Sequence, residues 1–278
     1  MSDFENYSRT SRSYDATRSA VGTPIILGCL AASRPLHETV VLDAGCGTGN
    51  YAAAVLPHVA QLVGVDINAG MLALAREKLA DGIAEGQVRL ERGDLSALPL
   101  DDASVDAIMV NHVLHHLPDR APGPWRGRAR VLGEFARVLR PGGTLVLNAC
   151  MPVQIRHGWW FFALIPEAVE RVCQRHPDFS AYRELLEASG FRVHGRTVPV
   201  DALLQGEHYF DTHGPERQAW RDGDSTWAAA TPEELERALE RLADLHRRGV
   251  ADAFLREHDE RRDEIGQNTF IHAALEGS

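Results

Sequence analysis

One stretch constrains this chain more than any other. Val40-Val41-Leu42-Asp43-Ala44-Gly45-Cys46-Gly47-Thr48-Gly49-Asn50 is an apolar run that ends on an acid and turns at once through three alternating glycines. Glycines suit such a place because the backbone must bend sharply and let a ligand approach with no Cβ in the way. A strand delivering its end to a ligand-binding turn points to an α/β architecture.

The middle of the chain supports that architecture. Apolar or β-branched runs at 39–42, 62–65, 88–90, 105–110 and 144–147 alternate with stretches of helical spacing. Met71, Leu72, Ala75 and Leu79 share a helix face behind Asn68 as N-cap, and Leu132, Phe135, Ala136 and Leu139 share another that Pro141-Gly142-Gly143 should stop. The strands are almost continuously apolar, as strands buried on both faces are. The pattern predicts a doubly wound, Rossmann-like sheet.

After Asn148 the texture changes. Residues 151–172 read as aromatic and irregular, followed by a helix over 180–189 closed by Gly190 and a strand over 191–198. Residues 199–267 carry no sheet pattern but hold a strong helix start, Thr231-Pro232-Glu233-Glu234, a capping box with proline at the first helical position. Leu235, Ala238, Leu239, Leu242 and Leu245 form the apolar face behind it, and a last β-like run covers 269–273. The expected organisation is an N-terminal helical lid (1–36), an α/β core (37–198 with 268–278) and a helical cap (199–267) inserted before the last strand.

Charge and composition narrow the function. Lys+Arg 29 against Asp+Glu 39 leaves 278 residues with a net charge of −10, which disfavours the phosphate neutralisation that nucleic-acid binding needs. The apolar run at 24–32 falls short of the ~18 residues of a membrane span, and what precedes it is unlike a secretory leader. Cys29, Cys46, Cys150 and Cys173 show no paired spacing, so reduced thiols and a cytoplasmic setting are expected. The partner is expected to be a small molecule rather than nucleic acid or membrane, with the chain a monomer or homodimer.

Four further features accompany the glycine turn. Val63-Gly64-Val65-Asp66 ends the next strand in a carboxylate where a ribose diol would sit. Arg92-Gly93-Asp94-Leu95 follows the third strand, Asp106 to Asn111 runs up the fourth, and Leu139-Arg140-Pro141-Gly142-Gly143 leads into the fifth. The turn reads Asp-x-Gly-x-Gly-x-Gly, not the GxGxxG of dinucleotide sites. An acid ahead of the glycines would repel a pyrophosphate and suits a ligand carrying an ammonium and a sulfonium, which makes a nicotinamide dehydrogenase a poor reading.

Over residues 40–147 the chain resembles the class I S-adenosylmethionine-dependent methyltransferases of small-molecule type. The resemblance implies a seven-stranded sheet, mostly parallel with an antiparallel last strand, and S-adenosyl-L-methionine as cofactor with S-adenosyl-L-homocysteine as product. It implies that Asp43, Gly45, Gly47 and Gly49 cradle the methionine part, that Asp66 takes the ribose hydroxyls with Ile67 on the adenine, and that Asp94 holds the adenine amine with Leu95 beside it. Asn111 would lie near the methionine part and the sulfonium. The family usually joins its last two strands by a short hairpin, so the long 199–267 segment departs from the pattern.

Methyl transfer is an in-line displacement, so positioning should dominate, with a base adding up to ~10²–10⁴-fold where the acceptor sheds a proton. His112, directly after Asn111, is a candidate base or acceptor contact; its other reading is a histidine that shapes the pocket. His115 and His116 resemble a stretch common in the family: His116 is a second catalytic candidate and His115 a substrate contact, unless the pair is structural. No metal is expected, since no Cys/His/Glu pattern of known spacing accompanies them. Tyr14, in Tyr14-Asp15-Ala16-Thr17-Arg18, resembles a lid residue that reaches the site. Trp159, Trp220 and Trp227 are candidate substrate contacts, because Trp220-Arg221-Asp222-Gly223-Asp224-Ser225-Thr226-Trp227 mixes rings, acids and hydroxyls without a period. The function expected is methylation of a small aromatic or heteroaromatic natural product at an indole-type carbon or a ring nitrogen or oxygen. A non-aromatic small molecule, a protein side chain, or a non-catalytic cofactor-binding regulator are the alternatives.

Overall fold

A computed structural model describes residues 20–121 and 123–277. Seven strands form one sheet: β1 (Val40–Ala44), β2 (Gln61–Asp66), β3 (Val88–Arg92), β4 (Val105–Asn111), β5 (Leu139–Ala149), β6 (Phe191–Thr197) and β7 (Thr269–Leu275), in the order β3-β2-β1-β4-β5-β7-β6. The first five run parallel, and β7 lies antiparallel between β5 and β6. This is the doubly wound sheet expected, antiparallel last strand included. The strand order reverses between β1 and β4, and the crevice beyond the carboxyl ends of such strands is where open α/β sheets bind ligands.

The period-two alternation of each strand splits its side chains between two cores. Leu42, Ala44, Val63, Val65, Ile108, Val110, Leu145 and Leu147 pack under the helices Arg126–Val138 and Phe179–Ala188. Val41, Leu62, Ala107, Met109 and Val146 pack on the other face with Ile26 and Leu30 of the helix Thr23–Leu30. The described part of the 1–36 segment therefore carries a helix built into the sheet's core.

Local signals hold well. Asn68 caps the helix Ala69–Lys78 by accepting from Gly70 and Met71 N–H, and Thr231 with Glu234 closes a capping box on Pro232–Arg247. Three details differ. The helix at Arg126 ends at Val138, not at Pro141, because Leu139 is already extended and pairs with Val105. Pro141-Gly142-Gly143 instead bulges out of the ladder, and a Cβ on Gly143 would stand 2.7 Å from Asp106 O. Arg128, in a stretch that reads as a solvated helix start, is fully buried and paired with Asp119 at 3.1 Å.

The third difference is the region after β5. Residues 151–173 form the helices Pro152–His157 and Pro166–Cys173 around a 3-10 turn, Trp160–Leu164. Residues 218–228 likewise form two short helices, Gln218–Arg221 and Ser225–Ala228. The aromatic run looks irregular because it has no solvent side to set a period: Trp159, Trp160, Phe161 and Phe162 are all buried. Together with Leu204, Tyr209, Trp227, Leu242 and Phe254 they make a separate apolar cluster. The helical layer thus draws on both the β5–β6 and the β6–β7 connections.

Candidate active site

The glycine turn leaves β1 with Gly45 and Cys46 N–H both donating to Val65 O, at 2.7 and 3.1 Å. Its three glycines all have positive φ, +76°, +53° and +81°, yet they do different work. A Cβ on Gly45 would strike Val113 at 2.5 Å, and one on Gly49 would crowd Leu79 at 3.2 Å. Gly45 and Gly49 therefore serve close packing. A Cβ on Gly47 would meet nothing within 4 Å; Gly47 instead keeps open the cleft that it lines.

That cleft encloses about 530 Å³ of empty space, its solvent-open part included, and is lined by Asp43, Gly45, Gly47, Asn111 and His112 among the expected residues. Thr48, Tyr51 and Leu204 line it as well. Asp43 is only 2% exposed. Its Oδ2 has no hydrogen-bond partner among the described residues. Burial, then the negative charge of Asp66, push its carboxyl up to about 7. A carboxylate so placed is stabilised by a cation entering the cleft. The orphaned acid and the open space before Gly47 fit the charged methionine end of S-adenosylmethionine.

A second group gathers at the ends of β2 and β3. Asp66 accepts Gly47 N–H at Oδ2 (2.9 Å) and Asn68 N–H at Oδ1 (2.8 Å), which ties the glycine turn to β2. Burial raises its pKa while these bonds oppose the rise. Each oxygen retains acceptor capacity for a hydroxyl. Ile67 is 55% exposed, an apolar surface beside that carboxylate. Gly93 N–H donates to Asp66 O at 3.1 Å, which brings Asp94 next to the pair. Asp94 accepts Ser96 N–H at 2.8 Å, and the bonds to Ser96 hold its carboxyl below the usual range. Leu95 packs partly against the sheet's core. These four do not line the enclosed cleft but stand at and just beyond the carboxyl ends of β2 and β3.

On the other side, Asn111 ends β4 and is buried. Its Oδ1 accepts from Asn148 Nδ2 at 3.2 Å, while its own Nδ2 has no partner among the described residues. His112 follows with φ +54°, rare for a residue with a Cβ, and its N–H donates to Asn148 O at 2.9 Å. The imidazole Nδ1 stands 3.9 Å from Cys150 Sγ. His112 lines the cleft.

His115 and His116 lie apart from the cleft lining, against His176. Ring centroids are 4.0 Å apart for His115–His116 and 5.0 Å for His115–His176. Burial pushes His116 down to about 4, with His176 and Arg175 adding to the effect, and His115 also falls well below its ordinary value. Both stay neutral at pH 7, and His116 is a weak proton acceptor there. Tyr14 lies outside the described residues.

The three tryptophans separate. Trp159 and Trp227 are buried in the helical layer's core, Trp159 donating from Nε1 to Gln205 Oε1 at 3.1 Å. Trp220 lines a second hollow of about 250 Å³ with Gln205, His208, Gly223 and Asp224. Leu204 faces the first cleft and Gln205 the second, so adjacent residues border both. Leu204 N–H is held by Gln267 Oε1 at 2.8 Å, and Gln267 is fully buried. Sequence reasoning missed Tyr51, Asn148, Leu204 and Gln205. Asn148 alone carried a signal, the same polar strand end that marks Asn111.

The family described as methyltransferase domain matches residues 42–147. A demethylmenaquinone methyltransferase of Lactiplantibacillus plantarum is 32% identical over 177 residues, covering 61% of this chain and 71% of that one. A demethylmenaquinone methyltransferase of Clavibacter sepedonicus is 29% identical over 238 residues, 77% of this chain and 93% of the relative. Among solved structures, one described as a methyltransferase from an antibiotic biosynthesis pathway of Anabaena variabilis superposes with a TM-score of 0.72 at 22% identity, covering 94% of this chain and 100% of that one. At that identity the likeness establishes the fold.

Proposed function

Because the chain belongs to the class I S-adenosylmethionine-dependent methyltransferases, we propose that it methylates a small aromatic acceptor held between the cofactor cleft and the helical layer. The cofactor supplies a methyl group made electrophilic by a sulfonium. Asp43 takes its cationic methionine end, with Gly47 leaving the room. Asp66 accepts from the ribose hydroxyls, Ile67 packs on the adenine, and Asp94 accepts from its amino group. Asn111 offers its unpaired amide N–H to the methionine end.

One observation carries the acceptor's place. Leu204, from the 199–267 segment, helps close the cofactor cleft, and Gln205 opens onto the hollow walled by Trp220. An apolar wall with a few polar anchors suits a planar ring. On this reading 199–267 is the cap of a core made of 37–198 and 268–278, and the 151–173 helices support it. Two relatives are named for demethylmenaquinone, so hydroquinones join indoles and phenols as candidates. His112 accepts the proton that a ring carbon or protonated heteroatom must shed. The reading in which it only shapes the pocket predicts a different kinetic result.

A cofactor-consumption screen over hydroquinones, indoles, phenols and aliphatic amines tests the acceptor class; turnover confined to the amines would overturn it. With the acceptor in hand, His112→Ala should lower the single-turnover rate roughly 10²–10⁴-fold while cofactor affinity holds. A rate within about threefold of wild type removes the base. Trp220→Ala should raise the acceptor KM alone; an equal loss of cofactor affinity would displace the acceptor from the hollow.

A further inference from the structure

Away from the cofactor cleft, the helical layer turns two histidines onto one carboxylate. His213 and Glu216 stand at either end of the 3-10 turn Gly214–Glu216, and His246 sits in the last turn of the helix Pro232–Arg247. His213 Nδ1 is 2.9 Å from Glu216 Oε2, and His246 Nδ1 is 3.7 Å from Glu216 Oε1. The two imidazoles meet edge to face, centroids 3.8 Å apart. One ligand atom from each of the three lies within 4.8 Å of the others.

We propose that His213, Glu216 and His246 bind one divalent ion of the zinc class and that this ion ties the turn to the helix. The first distance is a hydrogen bond; the second is too long for one, so the carboxylate does not by itself join the two elements. Ligand atoms around a tetrahedral zinc ion stand roughly 3.3 Å apart, which follows from zinc–nitrogen bonds of about 2.0–2.1 Å. The two observed spacings bracket that value. Two imidazoles and one carboxylate select a borderline ion over magnesium or calcium, which prefer all-oxygen sites. The side chains of His213 and Glu216 are 63% and 39% exposed, so the ion has an entry path and water can complete its shell.

Binding asks little of the protein. His213 moves its proton from Nδ1 to the solvent-facing Nε2, and the Nδ1 lone pair becomes a ligand. The neighbouring Asp211 is already engaged, accepting His213 N–H at 3.0 Å and pairing with Arg217. His246 Nε2 is buried with no partner among the described residues, so the outer hydrogen bond that usually braces a ligating histidine is missing. That absence should weaken the site about 10–100-fold relative to a braced one. The position gives the ion a consequence. Gly214, inside the turn, packs so tightly under Trp220 that a Cβ would stand 2.7 Å from its indole, and Trp220 walls the second hollow.

The test uses untagged, chelator-stripped full-length protein, titrated with zinc against a chromophoric chelator and, separately, with cobalt to read ligand-field absorption. Wild type should bind one equivalent with the visible bands of a four-coordinate cobalt site. His246→Ala and Glu216→Gln should each bind at least tenfold more weakly, and zinc should raise the melting temperature of wild type but of neither variant. Glu216→Gln changes only an exposed group, so it remains informative if His246→Ala misfolds. No binding by wild type, or equal affinity in wild type and Glu216→Gln, overturns the proposal; the latter would place the ion on other histidines.

Discussion

Asn148 donates its amide to Asn111 across the β4–β5 pair, at 3.2 Å, and the direction of that bond is fixed by its neighbours. Tyr51 O–H donates to the Val21 carbonyl at 3.2 Å, an atom that can only accept, so Tyr51 accepts from Asn148 Nδ2. Asn148 Oδ1 in turn accepts from Asn268 Nδ2 at 2.9 Å. Both hydrogens of the Asn148 amide are thereby spent on residues that line the cofactor cleft, and the N–H₂ of Asn111 is left without a partner among the described residues.

Asn148 should therefore be a positioning residue for the cofactor although it does not line the cleft. Asn148→Ala leaves Asn111 Oδ1 and Asn268 Nδ2 without partners, a loss of about 1–3 kcal/mol at a buried site. Affinity for S-adenosylhomocysteine should drop about tenfold or more, with Tyr51→Phe costing less. Calorimetry on variants that melt cooperatively decides it; affinity within twofold of wild type would show that the ladder merely fills the core.

The ladder also shows where sequence reading ended. Asn68, Thr231 and Glu234 were legible because a cap closes within three residues; β1, β2, β4 and β5 were legible because their runs are apolar on both faces, and edge strand β3 because Val88 and Leu90 alternate with Arg89 and Glu91. The Asp43 and glycine pattern marked the cleft because strand, acid and turn are contiguous. Asn148 becomes interpretable only when the β4–β5 register places it opposite Asn111, and Asn268 arrives from the far side of the helical layer. Trp159 and Trp227 illustrate the opposite limit. Rings without a period read as pocket walls, while the structure places these two in a core that draws on two distant connections.

The two inner glycines make a clean contrast. Gly45→Ala puts a methyl 2.5 Å from Val113 and should destabilise the fold. Gly47→Ala meets no protein atom within 4 Å, so its cost to the fold is confined to the left-handed backbone, about 1–2 kcal/mol. Cofactor affinity should nevertheless fall sharply in Gly47→Ala, because the methyl projects into the cleft. Melting curves paired with binding isotherms separate the two, and a Gly47→Ala protein that binds normally would show that the cofactor does not approach this turn.

Asp43 should give cofactor binding a pH dependence. With its carboxyl pushed up to about 7 in the free protein, acidification below that point neutralises the acid that a cationic methionine end needs. Affinity for S-adenosylhomocysteine should fall as pH drops from 8 to 6, and Asp43→Asn should bind weakly with a flatter profile. Stability of the free protein moves the other way. The folded value lies above the unfolded value of 3.8, so Asp43's contribution is full below the unfolded value and is lost as pH rises through about 7. A wild-type binding profile as flat as that of Asp43→Asn would exclude this carboxylate.

The buried histidines should govern acid stability. His176 is 6% exposed, donates from Nδ1 to Val172 O at 2.9 Å, and is held down to about 4 by burial, with Arg128 and Arg175 opposing its charged form. His116 is held at about 4 as well. Their folded values lie below the unfolded value of 6.5, so between 6.5 and 4 the unfolded chain takes up protons that the native state refuses. Stability should fall as pH drops through that window, by up to about 1.4 kcal/mol per pH unit for each group, and these groups add no further loss below 4. Asp43 works in the opposite sense over part of the range, so the comparison belongs in an Asp43→Asn background. There, His176→Gln, which can still donate to Val172 O, should flatten the fall in the urea midpoint between pH 6.5 and 4.5. An unchanged slope would mean that the histidine pocket opens and admits water before the chain unfolds.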